Sequence, residues 1–383
     1  MNDLSDHFFQ KLIKFRQELH QHPEVSNLEK ETAQRVIDFV TPFHPDELVT
    51  EVGGHGVLVN FKGKNDGETT AIRAELDALP ILEANHHLDY RSKVEGNAHL
   101  CGHDGHMAMV LSLVEFLSNN RPKYGHVILL FQPSEETGEG AARMLNDKKF
   151  LHYSPDEIIG LHNIPEEPMG KVLISNSHFA AASKGLKLYF TGSTSHAAEP
   201  QKGKNPAFAI AELIQFIQTL KVSSETSTYA IATIVHVKVG EVAFGISPAD
   251  GVIMLTLRSF EDAALEELEK KITSFSKKLA DSYQLEIRQE ETEVFPATNN
   301  HKEQTEKLTQ VVDQLGLERT IINQPFKWSE DFGHFLKKTK GTFFGLGSGI
   351  HQPVLHHKEF NFPDELIPIG YSIYKNYIQL NHY

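Results

Sequence analysis

The chain has 383 residues, a formal net charge of −14, and 40% hydrophobic and 23% charged residues. This composition supports a large core, excludes wholesale disorder, and at this length favours two domains. The acidic balance disfavours nucleic acid and anionic membranes as partners, because both need a basic face. The single cysteine, Cys101, excludes an internal disulfide. We find no apolar run long enough to span a bilayer and no secretory leader, and we therefore expect a cytoplasmic protein.

The first part of the chain alternates predicted helices with predicted strands. Phe8, Leu12, Phe15 and Leu19 recur at helical spacing in a first helix that ends at Pro23. Further helices are predicted over 28–40, 107–117 and 141–145, and strands over 56–61, 70–74, 127–131 and 157–161. Strands that alternate with helices are typical of an α/β domain with a mostly parallel sheet.

The pattern changes near residue 180. Alternation predicts a half-exposed strand over 185–190, followed by a helix over 206–220, strands over 229–239 and 252–259, a helix over 262–283 and a strand over 284–288. This β-α-β-β-α-β order is that of a ferredoxin-like module. Residues 289–300 are mostly polar and are predicted to return the chain to the first domain, whose remainder reads as a helix, a strand over 342–345 and a helix from Pro363.

The predicted organisation is therefore a first domain interrupted by an inserted one. The α/β domain comprises residues 1–180 and 292–383, and the ferredoxin-like α+β module comprises residues 181–291. The predicted helix over 206–220 is more apolar than one side of a small sheet requires, which favours an interface. A helix that simply packs on its own sheet is the alternative.

Eight residues, from His99 to His106, combine three histidines with Cys101, Asp104 and two glycines. The glycines allow tight backbone turns, and thiolate and imidazole suit zinc and its neighbours. For Cys-x-His alone, the favoured interpretation is a loop with a buried cysteine and solvated histidines. The apolar strand before the cluster and the helix after it favour a metal site.

A pair of carboxylates, Glu135 and Glu136, follows the predicted buried strand over 127–131. The carboxyl ends of parallel strands form the active-site crevice of open α/β sheets. Adjacent buried carboxylates repel unless a cation neutralises one, so one could bind a metal while the other acts as a base. A solvated acidic turn is the alternative. His162 at another strand end and His356 after a glycine-rich loop extend the set and favour a metal site.

Ordered motifs along nearly the whole chain resemble those of the aminoacylase/carboxypeptidase superfamily of dinuclear metallohydrolases. They are most similar to the amidohydrolase branch that includes auxin-conjugate hydrolases, hippurate hydrolase and N-acetyl-diaminopimelate deacetylase. The motifs are FRQELH at 15–20, HPE at 22–24, RAELDALP at 73–80, CGHDGH at 101–106, FQPSEE at 131–136, GLH at 160–162, SHAAEP at 195–200, SEDF at 329–332, and HH at 356–357 with Phe360. The resemblance implies a zinc-exopeptidase-like catalytic domain whose inserted module serves as a lid and dimerisation domain.

The resemblance also implies a role for each candidate site residue. Cys101 matches the ligand that bridges two metals, and the remaining ligands match His103, Glu136, His162 and His356. Glu135 matches the general base, and Asp77 matches the carboxylate that orients the metal site. His196, in the inserted module, matches a histidine that reaches across a dimer interface and helps hold the reaction's oxyanion. Arg258 matches an arginine that in relatives can bind a substrate carboxylate.

We therefore expect a metal-dependent amidohydrolase that acts on N-acyl amino acids or related small amides. One or two divalent ions are implied, Zn²⁺ or Mn²⁺ first, with Co²⁺ and Ni²⁺ as further candidates. Amide hydrolysis needs an activated water, a polarised carbonyl and a carboxylate that passes a proton to the departing nitrogen. A dipeptidase or carboxypeptidase on the same site is the alternative. A non-catalytic binding protein is disfavoured because Glu135 and the five ligands are all present, and the resemblance implies a homodimer through the inserted module.

Overall fold

The computed structural model describes residues 4–220 and 229–383. Residues 1–3 and 221–228, which fall in the predicted first domain and the predicted inserted module, lie outside the described residues. The chain forms two compact units. The first unit comprises the residues up to Phe179 together with Thr298–Asn323 and Asp331–Tyr383, and the second comprises Ala180–Ala297 and Gln324–Glu330.

The described strands are, in chain order, β1 (Glu47–Val52), β2 (Gly56–Lys62), β3 (Asn65–Glu75), β4 (Tyr124–Gln132), β5 (Glu157–Pro165), β6 (Val172–Ile174), β7 (His178–Ala180), β8 (Ala182–Thr191), β9 (Ser195–His196), β10 (Ala230–Val239), β11 (Ile246–Ser247), β12 (Asp250–Ser259), β13 (Glu286–Phe295), β14 (Thr298–Asn299), β15 (Arg319–Ile321) and β16 (Lys340–Gly349). The described α-helices are α1 (Asp6–Gln21), α2 (Lys30–Val40), α3 (His103–Leu111), α4 (Leu113–Asn119), α5 (Gly140–Asn146), α6 (Lys148–Tyr153), α7 (Ala207–Thr219), α8 (Asp262–Tyr283), α9 (Lys302–Leu315), α10 (Gly333–Leu336) and α11 (Leu366–His382).

The first unit is built on an eight-stranded mixed sheet in the order β1-β2-β4-β3-β5-β16-β6-β15. Its central strands β4, β3, β5 and β16 run parallel to one another, whereas β1 and β2 add to one side in antiparallel pairing. β5 is buried along nearly its whole length, which explains its continuous apolar sequence. The prediction of an α/β fold with a mostly parallel sheet is confirmed.

Two helices of the first unit differ from the sequence prediction in a way that concerns the site. The predicted helix over 107–117 is two helices, α3 and α4, separated at Ser112, whose hydroxyl donates to the carbonyl of Met109. α3 begins at His103, four residues earlier than predicted. The prediction was wrong because the first turn of α3 is polar in sequence, although every residue of this helix is buried.

The last helix, α11, completes the first unit from the far end of the chain. Its residue His382 is fully buried. One ring nitrogen lies 2.9 Å from the carbonyl oxygen of Tyr124, and the other lies 2.8 Å from the hydroxyl of Thr70. These contacts attach the end of α11 to the start of β4 and to the middle of β3. Among the described residues, no helix is both long and apolar enough to cross a membrane.

The second unit is a four-stranded antiparallel sheet in the order β10-β12-β8-β13, with α7 and α8 packed on it. The chain order β8-α7-β10-β12-α8-β13 confirms the ferredoxin-like prediction. One part of the prediction was wrong, because β13 continues to Phe295 instead of ending at Arg288. Thr292 still pairs with Gly185 on β8, so residues 289–295 belong to the strand. β13 lies at an edge of this sheet and exposes many side chains, which is why its sequence reads as polar.

Helix α7 uses most of its apolar surface inside its own unit. Ile210, Leu213 and Ile217 are buried in the core under the sheet. Phe216 stacks on Phe275 of α8 with their ring centroids 4.1 Å apart. Phe208 is the large apolar side chain of α7 that stays exposed. Packing of α7 on its own sheet and on α8 therefore explains most of its apolar side chains. This was the alternative to an interface in the sequence analysis.

Candidate metal and active site

The carboxyl ends of four parallel strands place most of the predicted site residues at one edge of the large sheet. Asp77 follows β3, and Glu135 with Glu136 follows β4. His162 lies towards the end of β5, and His356 lies in the loop after β16. Parallel pairing of these strands brings side chains together that are far apart in sequence.

The remaining donors come from the loop that leads into α3. Gly102 separates Cys101 from His103 and has a φ of 101°, a conformation that favours glycine. A Cβ at this position would clash with the side-chain amide of Asn163. The tight turn therefore requires glycine, and it brings the thiol and the imidazole into one cluster.

Five predicted ligands form two overlapping groups of donor atoms. In the first group, one donor atom each from Cys101, His103 and His162 lie within 4.8 Å of one another. In the second group, donor atoms of Cys101, Glu136 and His356 satisfy the same limit. The Cys101 thiol belongs to both groups. Each of these groups of thiolate, imidazole and carboxylate donors would suit a divalent metal ion, and Cys101 would contribute to both.

Two buried donor atoms show that the cluster fits a cation. His103 Nε2 and Glu136 Oε1 have no hydrogen-bond partner among the described residues, and they lie 3.9 Å apart. Unpaired buried polar atoms cost free energy, and a metal ion between them would satisfy both. His103 Nδ1 donates to the carbonyl oxygen of Asp77 at 2.8 Å, because that oxygen can only accept. This bond fixes the tautomer that leaves Nε2 for a metal.

The electrostatics keep His162 neutral and Asp77 charged. Burial, together with the neighbouring rings of His106 and His103, holds the pKa of His162 well below its usual range. Neutral imidazole is the form that binds metal. Burial alone would raise the pKa of Asp77, but its interactions with His103 outweigh burial and hold that pKa below its ordinary value. The Asp77 carboxylate is therefore charged beside His103, with Oδ1 3.6 Å from Nδ1 of that ring.

Glu135 and Glu136 both lie near His103, but Glu135 has a hydrogen-bond partner of its own. Its side chain is almost fully buried, and Oε2 lies 3.9 Å from His103 Nε2. Oε1 accepts the backbone N–H of Asp331 at 3.3 Å. The two adjacent carboxylates therefore both face the cluster, where a cation would offset their repulsion.

Sequence reasoning assigned no role to Asp331, although its motif was noted. Its buried carboxylate accepts hydrogen bonds from Gln132 Nε2 at 2.7 and 2.8 Å, from the N–H of Ala141 at 2.9 Å and from Arg73 at 3.0 Å. These bonds fix the backbone N–H that Asp331 donates to Glu135. The available signal was the motif SEDF at 329–332, which carries two acidic residues without an assigned function.

Sequence reasoning also missed the segment just after the HPE motif. Ser26 donates its hydroxyl to Asp77 Oδ2 at 2.7 Å, and the N–H of Glu136 donates to the same oxygen at 3.0 Å. Asp77 therefore connects the metal-binding turn after β4 to the segment between α1 and α2. The sequence indicated this contact only through the position of Ser26, which lies just after the HPE motif at 22–24. No chemical role had been assigned to that motif.

His196 and Arg258 belong to the second unit. His196 is exposed on β9, which pairs with β11 through Ile246, and its Nδ1 accepts the N–H of Ala198 at 3.1 Å. Arg258 lies on β12, and its Nη1 donates to the carbonyl of Lys327 at 2.9 Å and to the hydroxyl of Ser329 at 3.0 Å. Burial lowers the pKa of Arg258. The other predicted site residues all lie in the first unit.

The fold and the cluster together define a class of protein. A parallel α/β sheet that presents two groups of metal donors sharing a thiol, next to a further buried carboxylate, is the framework of a metal-dependent hydrolase. Residues 71–380 match the model of Peptidase family M20/M25/M40, and the chain belongs to this family.

Known proteins of similar sequence and structure agree with this assignment. YhaA of Bacillus subtilis (strain 168) is 30% identical over 372 residues, which cover 95% of this chain and 93% of YhaA. N-acetyldiaminopimelate deacetylase of Listeria innocua serovar 6a is 28% identical over 373 residues, which cover 96% of this chain and 99% of the deacetylase. The crystal structure of the Bacillus subtilis YXEP protein, described as a dinuclear metal binding peptidase from the M20 family, has a TM-score of 0.82 and 25% identity over 98% of this chain and 99% of YXEP.

These similarities confirm the expected superfamily and the expected class of reaction. The chain is an M20-family amidohydrolase that depends on a divalent metal. The donor cluster at the carboxyl edge of the sheet fits that metal.

Proposed function

We propose that this enzyme removes the acyl group from N-acyl amino acids or related small amides, with Glu135 as the general base. The proposed metal ligands are Cys101, His103, Glu136, His162 and His356. The observation that carries the proposal is the pair of donor groups sharing Cys101, beside a carboxylate that belongs to neither group. The Listeria relative is a deacetylase of an N-acetyl amino acid, which supports this class of substrate.

The mixed thiolate, imidazole and carboxylate donors make Zn²⁺ and Mn²⁺ our first candidates, one or two ions per chain, with Co²⁺ and Ni²⁺ as further candidates. A bound metal would lower the pKa of its water towards about 7 and would polarise the substrate carbonyl. Glu135 accepts the proton of the attacking water and delivers it to the amide nitrogen, so that a neutral amine departs. Oε2 of Glu135 lies 3.9 Å from Nε2 of His103, which places this carboxylate beside the proposed ligands.

Three further residues have positioning or binding roles in this proposal. Asp77 orients the His103 ring through its carbonyl oxygen. His196, which is exposed and therefore accessible to substrate, would donate to the oxygen that gains negative charge. Arg258 would bind a substrate carboxylate, with its guanidinium steadied by the carbonyl of Lys327.

A substrate panel tests the proposed reaction. Metal-reconstituted enzyme should hydrolyse at least one of the N-acetyl, N-benzoyl or N-succinyl amino acids faster than any dipeptide. Glu135→Gln protein with full metal content is the matched control for contaminating hydrolases. Faster cleavage of dipeptides, abolished in the same control, would instead establish the peptidase alternative and would contradict the deacylase proposal.

We further propose a cytoplasmic homodimer formed through the second unit. Among the described strands of its sheet, β10 lies at an edge and exposes Val235 and Val237. An edge strand with apolar side chains is suited to pairing with a second chain. The lone cysteine, proposed as a thiolate ligand, is also best preserved in a reducing compartment.

Subunit mixing tests whether His196 serves the active site of the partner. His196→Ala and Glu135→Gln proteins should each be nearly inactive. Co-refolded as heterodimers, they should recover one intact site if His196 acts across the dimer. Subunit exchange proven by differently tagged chains, without recovery of activity, would show that His196 serves its own chain or has no role in turnover.

A further inference from the structure

The backbone adopts an unfavourable conformation immediately before the two site carboxylates. Ser134 has a φ of 52°, in the left-handed region that non-glycine residues rarely occupy. Its side chain is fully buried, and Glu135 and Glu136 follow it directly. Such a conformation persists only where surrounding groups hold it in place, and it is often found at functional sites.

Glu29 is the group that holds this turn. Its Oε1 accepts the backbone N–H of Ser134 at 2.8 Å and the hydroxyl of the same residue at 2.9 Å. The same oxygen accepts the N–H of Asn27 at 2.9 Å. Glu29 is fully buried, and hydrogen bonds to a buried carboxylate are stronger than those to a neutral acceptor.

The segment that carries Glu29 is tied to the site at further points. The N–H of Asn27 also donates to the hydroxyl of Ser134 at 2.9 Å, and Asn27 itself has a φ of 71°. Ser26, one residue earlier, donates to Asp77, which also accepts the N–H of Glu136. Asn27 and Ser134, which are distant in sequence and both have a left-handed backbone, therefore both donate to the Glu29 carboxylate. This carboxylate lies beside the turn that carries the proposed base and a proposed metal ligand.

We propose that Glu29 is a positioning residue of the active site. By holding Ser134 in the left-handed conformation, it sets the direction in which Glu135 and Glu136 leave β4. This inference rests on the proposed roles of those two carboxylates. A rotation of the backbone at Ser134 would displace both, and a displacement of about 1 Å can reduce turnover about 10²-fold.

The chain offers a matched control for a merely stabilising role. Glu24 makes the same pair of bonds, since its Oε2 accepts the N–H of Thr32 at 2.6 Å and the hydroxyl of Thr32 at 2.8 Å. Thr32 lies in α2, which supplies none of the proposed site residues. Replacement of Glu24 therefore removes a comparable pair of hydrogen bonds, neither of which is made to a residue of the turn after β4.

The test compares Glu29→Met, Glu29→Gln and Glu24→Met at a temperature where each is folded. Glu29→Met should lower kcat per folded molecule by about 10²-fold, with a smaller change in KM, because placement of the base is lost. It should also weaken metal retention against a chelator, since Glu136 moves with the same turn. Glu29→Gln should keep most of the activity, because its carbonyl oxygen can accept the same three hydrogen bonds. Glu24→Met should lower the melting temperature yet keep kcat.

A second-site change tests the backbone argument directly. Glycine adopts positive φ at little cost, so Ser134→Gly in the Glu29→Met background should restore part of the lost turnover. If Glu29→Met does not fold, Ser134→Ala, which keeps the N–H but loses the hydroxyl, should show a smaller fall in kcat and in metal retention. Unchanged kcat and metal retention in that variant would then overturn the inference.

The inference is also overturned if folded Glu29→Met keeps wild-type kcat, if Glu24→Met loses as much kcat as Glu29→Met, or if Ser134→Gly in the Glu29→Met background gives no recovery. Glu135→Gln separates this failure from a failure of the proposed function. An active Glu135→Gln enzyme would refute the proposed base itself. An inactive Glu135→Gln enzyme beside a fully active Glu29→Met enzyme would refute only the positioning role.

Discussion

The proposed metal cluster and the proposed oxyanion residue are built in contrasting ways. In the first unit, His103 and Glu135 are buried, and each is fixed by a hydrogen bond to backbone or by a network of neighbours. In the second unit, His196 is exposed on a two-residue strand and makes a hydrogen bond to the N–H of Ala198 close by. The proposed ligands Cys101, His103 and His162 are likewise buried, whereas the proposed ligand His356 is exposed like His196.

The difference separates effects on activity from effects on stability. Loss of a hydrogen bond that supports the cluster should alter metal content, turnover and stability together, because the same bonds serve all three. A change at His196 should alter turnover alone. Substitutions in the two units test this separation.

Glu135→Gln should lower kcat by about 10²–10⁴-fold, the usual range for loss of a general base. The amide keeps the size of the side chain and an oxygen for the N–H of Asp331, so metal content should stay at the wild-type level. Steady-state kinetics and elemental analysis of the same preparation check both statements. Retained turnover would direct attention to Glu139, the nearest alternative base in the sequence.

His196→Ala should lower kcat by about 10²–10³-fold, as expected for loss of an oxyanion donor. Its free energy of unfolding should change by less than about 0.5 kcal/mol, because the side chain is exposed and its recorded hydrogen bond is local. Kinetics and denaturant titration give the two numbers. A large loss of stability would mean that His196 also belongs to a structural framework, against the contrast drawn above.

The buried network behind the cluster should make stability depend on pH. His20 lies 2.9 Å from Asp104 and 3.1 Å from Glu83. Burial lowers the pKa of His20, but the bonds to the two carboxylates outweigh burial and raise that pKa from its ordinary 6.5 to about 9.

Because the pKa of His20 is raised on folding, its contribution to stability is complete below about pH 6.5 and is lost as the pH rises through about 9. The difference in unfolding free energy between wild type and His20→Gln, both without metal, should fall by about 3 kcal/mol over this range. Urea titrations at pH 6 and pH 10 measure it. A difference that does not change with pH would show that His20 has the same charge in both states.

Cys101→Ser should weaken metal binding by tenfold or more, because a hydroxyl replaces the thiolate shared by both donor groups. The fold without metal should keep its melting temperature, since the two side chains are similar in size. Competition with a chelator gives the affinity. Full metal occupancy in a Cys101→Ser, His162→Ala double variant would show that the metal is bound elsewhere.

The sequence predicted those helices and strands whose hydrophobic periodicity is visible within one continuous stretch of chain. The amphipathic helix over Asp262–Tyr283 was predicted with the observed bounds. The strand that begins at Glu286 was predicted too short, because edge strands expose polar side chains and lose the apolar signal. β1 was not predicted for the same reason, since its residues are mostly half-buried or exposed.

The candidate site, too, could be predicted only in part from the sequence. The convergence of Glu135, His162 and His356 could be predicted because the ends of parallel strands meet at one edge. The supports of the site could not be predicted, because Glu29 and Ser134 are 105 residues apart and Asp331 is 196 residues from Glu135. No periodicity connects such pairs, and their bonds become visible only when the sheet and its loops are assembled.

The contacts of His382 have a consequence for the order of synthesis. The four-stranded sheet of the second unit is complete once Phe295 has been made, so this sheet can assemble before the last residues of the unit, Gln324–Glu330, are added. The first unit must wait for β16, for the loop with His356 and for α11, whose His382 bonds back to Thr70 and Tyr124. Until then the thiol of Cys101 is synthesised but not enclosed. The set of five proposed metal ligands is therefore complete only after His356 has been made, long after Cys101.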